Sequence, residues 1–131
     1  MLAFRNGTFA EMIGHAYNGY PLEACGLLVG RGEWVQRFVA CTNESASARI
    51  YSIPARELLR AERGAEDEGL EIIGVFHSHT HTEPYPSPTD VDQAPDPDWH
   101  YVIVSLKRDA PETRSYRIVA GAIAEERVAV E

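Results

Sequence analysis

The chain is short of positive charge, of cysteine and of long apolar runs, and each shortage removes a class of function. It carries 12 lysines and arginines against 20 aspartates and glutamates, a net charge of −8 at neutral pH. Such a balance disfavours the phosphate backbone of a nucleic acid, and equally an anionic membrane, as main partner; protein partners stay open. No stretch approaches the ~20 apolar residues of a membrane helix. The opening MLAFRNGTFAEM has neither the basic start nor the apolar stretch of a signal peptide, so a cytoplasmic protein is expected. The two cysteines, Cys25 and Cys41, lie in the apolar contexts EACGLL and VACT. Without C-x-x-C spacing they read as buried free thiols, with a disulfide or zinc pair the lesser reading. No repeat, linker or composition shift divides the sequence, so residues 1–131 are expected to form one domain with a true core.

What is present is regular punctuation. Thr8 to Tyr20 reads as a helix, with Phe9, Met12, Ile13, Ala16, Tyr17 and Tyr20 on one face, a Thr8–Glu11 capping box, and Gly19 and Pro21 at its end. The apolar run 24–30, the turn RGE and Trp34–Cys41 predict a hairpin. After the polar loop 42–48, Arg49–Ile53 is a short strand candidate. Pro54 then opens a second helix to about Glu68, closed by Gly69. EIIGVFH (71–77) and HYVIVSL (100–106) are unbroken enough to be central strands. Two more strands, about Arg114–Val119 and Ala122–Val130, are expected around Ala120-Gly121. This order implies an α/β fold, a single-domain mixed β-sheet flanked by helices.

The chemistry concentrates in HSHTHTEPYPSPTD (77–90). His77 and His79 are two apart at a strand's end, so they point to the same side. Paired imidazoles there suit a metal better than a core, and zinc takes nitrogen and carboxylate ligands. Two candidates compete for a third ligand. His81 continues the alternation if the strand persists, and otherwise is a loop histidine in water. Asp90 lies in Ser87-Pro88-Thr89-Asp90, a helix start that could turn its carboxylate back, or could serve capping alone. Ser78 should face away and hold a backbone hydrogen bond. Asp92, Asp96 and Asp98 lack the glycine and glutamate of a calcium loop and read as solvated. That loop, with the surroundings of Trp34 and Trp99, is a candidate wall for a substrate groove. His15, on a helix's polar side, and His100, at a strand's start, read as structural.

The pattern His77-x-His79, seven residues, Ser87, two residues, Asp90 resembles the metal motif of the JAMM (MPN-plus) metalloproteases. The likeness covers nearly the whole chain: the opening helix, EACGLLVG, YSIP, GVFHSHT, YPSPTD, HYVIVSL and RSYRIV. It resembles most the small bacterial members of the CysO-cysteine peptidase type. The resemblance implies the MPN/JAMM fold, which is cytidine-deaminase-like, and one Zn2+ per chain held by His77, His79 and Asp90. It implies Glu23 as general base and Ser87 as oxyanion donor, although the cap and that second role compete for Ser87. The expected partner is a ubiquitin-like sulfur carrier protein, cut after its C-terminal Gly-Gly to remove an extension or an amino-acid adduct. An isopeptidase or small-peptide hydrolase is the alternative, and a non-catalytic scaffold the third. Thr80 stands where many members have proline, and the chain has no room for the insertions that grip ubiquitin chains.

Overall fold

Strands whose every side chain is apolar need cover on both faces, and the two most apolar runs of this chain sit mid-sheet. The computed structural model describes residues Met1–Glu131. In chain order the elements are β1 (Leu2–Phe4), α1 (Asn6–Gly19), β2 (Cys25–Arg31), β3 (Trp34–Cys41), α2 (Ala55–Asp67) and β4 (Glu71–His79). They continue with α3 (Pro88–Asp92), β5 (His100–Ser105), β6 (Glu112–Val119), β7 (Ala122–Glu126) and β8 (Val128–Val130). The strands form one sheet in the order β7-β6-β5-β4-β2-β3-β1-β8. It is mixed, as expected: β4 runs parallel to β5, β1 runs parallel to β3 and β8, and the remaining pairs are antiparallel.

Strand alternation divides the core in two. Leu28, Phe76, Val102 and Val104 pack on one face with Met12 and Ala16 of α1. Leu27, Val75 and Ile103 pack on the other with Ala61 of α2 and with Tyr51. Each fully buried side chain of this size stabilises by about 1.5–3 kcal/mol, so both faces are needed to hold the sheet. The same alternation puts His77 and His79 on the face of Val75. Ser78 points the other way and accepts the Ala24 N–H at 2.8 Å, the backbone role its spacing suggested. Cys25 and Cys41 face each other across the hairpin as buried free thiols, and burial pushes both up to about 12.

Several expectations are corrected. Helix α1 starts at Asn6, two residues before Thr8, and no capping box forms there. The Asn6 N–H is satisfied by the Glu131 carbonyl (2.8 Å), so the chain's last residue replaces a side-chain cap. Tyr17 and Tyr20 are exposed, not on the buried stripe; Tyr20 turns towards His81. His15 is not on a polar side: its Nε2 lies 3.0 Å from the Cys25 carbonyl, which ties α1 to β2. Arg49–Ile53 is not a strand. The Asn43 side chain takes over backbone groups that a ladder would use, accepting the Ser45 and Ser52 N–H groups and donating to the Ile50 carbonyl. Pro54 is the cap of α2, not its first residue, while Gly69 closes the helix at φ +72° as expected. The expected strand Ala122–Val130 breaks at Arg127. Its first part pairs with β6 and its second with β1, so one short segment spans the two edges of a sheet curled back on itself. The three-residue β1 that receives it has no periodicity long enough to read from sequence.

Candidate metal centre

Strand β4 extends to His79, two residues beyond the apolar run, and so delivers both imidazoles from regular backbone. Asp90 arrives from the crossover to β5. Ser87 caps α3, its Oγ accepting the Asp90 N–H at 3.1 Å, while Asp90 Oδ2 accepts the Ser87 N–H at 2.9 Å. This reciprocal box, which Pro88 at the first helical position favours, fixes the carboxylate. His77 Nε2 lies 3.1 Å from His79 Nε2, and Asp90 Oδ2 lies 3.2 Å and 3.0 Å from them. Of the two candidates for a third ligand, the fold brings Asp90 to this cluster. His81 stays outside it, exposed, with Nδ1 2.8 Å from the Thr80 hydroxyl.

The cluster suits a cation. His79 Nδ1 donates to the Glu83 carbonyl at 2.8 Å, which places the lone pair of the neutral ring on Nε2, facing the Asp90 carboxylate. Two lone pairs 3.0 Å apart repel unless a positive charge lies between them. Metal–ligand bonds of about 2.0–2.1 Å in a tetrahedron give ligand separations of roughly 3.3 Å, close to those observed. His77 is positioned by Tyr51, stacked at 4.4 Å between ring centroids. Burial pushes the His77 pKa down. Burial also opposes a proton on His79, but the Asp90 carboxylate, the Glu83 carbonyl and Glu23 together outweigh it and raise the His79 pKa. Burial pushes the Asp90 pKa up, but the facing His77 and His79 rings and the Ser87 N–H together outweigh it and hold the carboxyl well below the usual carboxylate range.

Glu23 is brought in by strand register. Cys25 pairs with His77 in the antiparallel β2–β4 ladder. The Ser78 N–H continues the ladder to the Ala24 carbonyl at 2.9 Å. One step further sets Glu23 opposite His79, on the same face. Its backbone is clamped, the N–H donating to the Ser47 carbonyl (2.8 Å) and the carbonyl accepting from Asn43 Nδ2 (3.0 Å). Glu23 Oε1 is buried without a hydrogen-bond partner. Burial pushes its pKa up to about 7; His79 pulls against this and Asp90 adds to it. Glu23, His77, His79 and Asp90 are each between 3% and 6% exposed, so little water screens their charges.

A cleft of about 590 Å³ adjoins the cluster, walled by Glu23, Arg49, His79, His81, Thr82 and Ser87. The acidic loop 92–98 and the two tryptophans do not line it. Trp34 is exposed at the start of β3, and Trp99 borders a separate apolar hollow. Ser87 need not divide its time between cap and donor. A hydroxyl accepts and donates at once, so the cap occupies a lone pair and leaves the O–H free. Sequence spacing had no means to find Arg49 or Tyr51, which enter through the irregular strap between β3 and α2.

Residues 5–119 match the family described as prokaryotic homologs of the JAB domain. The chain is 41% identical, over 133 aligned positions, to the CysO-cysteine peptidase of Mycobacterium tuberculosis (strain H37Rv), covering 99% of this chain and 91% of that one. A solved structure of a Desulfitobacterium hafniense protein is similar with a TM-score of 0.92 and 34% identity, covering 100% of this chain and 93% of that one. A structure described as a JAMM metalloprotease-like zinc site in the proteasome and signalosome matches at TM-score 0.66 and 16% identity. It covers 100% of this chain and 98% of that one, and shows the shared fold.

Proposed function

The chain belongs to the family of prokaryotic homologs of the JAB domain, and on that premise we propose that it is a zinc-dependent peptidase. Its substrate is a ubiquitin-like sulfur carrier protein, from which it removes the extension or amino-acid adduct after the C-terminal Gly-Gly. The observation that carries this reading is the buried, unpartnered carboxylate oxygen of Glu23 beside the His77–His79–Asp90 cluster. A buried acceptor left unpaired is costly, and such groups persist where a reaction uses them. The peptidase likeness over nearly the full chain supports the substrate class.

His77, His79 and Asp90 would hold one metal ion per chain. Bound there, zinc supplies Lewis acidity that readies water for attack at neutral pH and polarises a carbonyl. Glu23, with a pKa raised to about 7 by burial, is poised to take the proton of the attacking water and hand it to the leaving amine. Ser87, its O–H free, donates to the oxygen that gains charge as the amide carbon becomes tetrahedral. An extended carrier tail lies in the cleft, and its two glycines allow backbone to approach where side chains would clash. The 131 residues are one catalytic unit in this reading.

The test is incubation of the metal-loaded protein with a ubiquitin-like carrier extended past Gly-Gly, followed by intact mass, alongside metal analysis. About one zinc per chain and loss of the extension are expected. An empty site after careful loading would point to a scaffold. Cleavage of an isopeptide-linked modifier without action on the linear carrier would replace this substrate with the isopeptide class.

A further inference from the structure

Beyond the cluster itself, the cleft wall holds one side chain whose charge is uncommitted. Arg49 is exposed and its guanidinium makes no hydrogen bond or ion pair within the chain. His81, the other basic group in the wall outside the cluster, is engaged at both ring nitrogens, by the Thr80 hydroxyl and by Tyr20. Elsewhere Arg37, Arg108 and Arg114 are each paired with glutamate, while the exposed Arg56 and Arg60 are unpaired but stand on α2, away from this cleft.

The backbone of Arg49 is held in place. Its N–H and that of Ile50 donate to Ser47 Oγ at 3.0 Å and 3.3 Å, and the Ala48 carbonyl accepts from the Thr80 hydroxyl at 3.3 Å. Ser47 is also the residue whose carbonyl receives the Glu23 N–H. Arg49 therefore stands on a strap bonded to the backbone of Glu23, and both residues line the same cleft.

The acidic group that shares the cleft wall with Arg49 is Glu23, in a chain of net charge −8. Before the cut, the two glycines are joined through amides and offer no anion for a guanidinium to meet. A leaving group that is one amino acid does, since its carboxylate stands one carbon from the amine that takes the proton. We infer that Arg49 forms a subsite for the free α-carboxylate of a single residue beyond the cleaved bond. The site then releases one amino acid from a chain end in preference to cutting within a chain or at a side-chain amide. The guanidinium fork matches a carboxylate with two parallel N–H donors, and such charge-assisted bonds are about twice as strong as neutral ones. This subsite rests on the peptidase reading above.

Two forms of one substrate test it, a ubiquitin-like carrier ending in Gly-Gly-Ala as the free acid and the same carrier ending in the primary amide. With the metal-loaded native protein, kcat/KM for the acid should exceed that for the amide by about ten- to a hundred-fold. Arg49→Gln should bring the ratio near one, and Arg49→Lys should restore part of it. Equal cleavage of acid and amide by the native protein would overturn the inference while leaving the peptidase reading intact. So would an Arg49→Gln variant that slows both forms alike and keeps the ratio. Cleavage of neither form would remove the peptidase reading and this inference with it.

Discussion

At the scale of single residues, Glu23 and Ser87 make separable predictions. Glu23→Gln keeps the size of the buried side chain and removes its capacity to take a proton. Cleavage should fall by about a hundred- to ten-thousand-fold, with metal content unchanged by elemental analysis. A variant that cleaves normally would remove Glu23 from the chemistry. Ser87 has two roles with different magnitudes. Ser87→Ala should lower stability by about 1 kcal/mol through loss of the cap and lower kcat by about a hundred- to a thousand-fold through loss of the donor. Ser87→Thr should retain both, and matched thermal melts and rates would separate them. The types and order of these residues were legible in sequence, because H-x-H and S-P-T-D act over a few positions. That Glu23 belongs with them rested on resemblance alone, since nothing local links residues more than fifty positions apart.

At the scale of elements, β4 positions the site and tolerates little change. It pairs in parallel with β5 from Gly74 opposite His100, and a methyl group at position 74 would run into the His100 carbonyl. Gly74→Ala should therefore cost about 1–3 kcal/mol in denaturant unfolding. It should also weaken metal retention, because His77 lies three residues further along the displaced strand. Full stability would show that β4 and β5 separate more easily than their register suggests. Helix α3 has only five residues and holds Asp90 through its cap, so Asp90 depends on local chemistry that sequence reads well. The strap 42–54 shows the opposite case. Within it Arg49–Ile53 reads as a short strand candidate, yet Asn43 supplies hydrogen bonds that a ladder would otherwise supply, and the strap instead presents Arg49 and Tyr51 to the site.

At the scale of the whole molecule, a partly buried ionic contact joins β7 to β5, β6 and the N-terminus. Glu126, at the end of β7, accepts from His100 Nδ1 at 2.6 Å and from the Ser115 hydroxyl at 2.8 Å, and lies 3.2 Å from the N-terminal ammonium. Burial opposes its ionisation, but these partners outweigh burial and hold its pKa down to about 2, against 4.5 for a free side chain. The folded carboxylate stays charged at pH values where the unfolded one has gained its proton. Its stabilisation is thus complete above about pH 4.5 and is lost as pH falls towards about 2. Urea midpoints measured down that range should fall more steeply for the native protein than for Glu126→Gln; parallel slopes would mean the contact contributes nothing. The amino-acid sequence by itself determined the central strands, the second helix, the shared side of His77 and His79, and the capped turn that carries Asp90. Those follow from sterics and hydrogen bonds between near neighbours. Only the tertiary structure decided that Glu23 stands across from His79, that Arg49 reaches the cleft, and that the last strand splits to join both sheet edges. Strand pairing is chosen among many registers by the packing of the whole core, and no short stretch of chain carries that information.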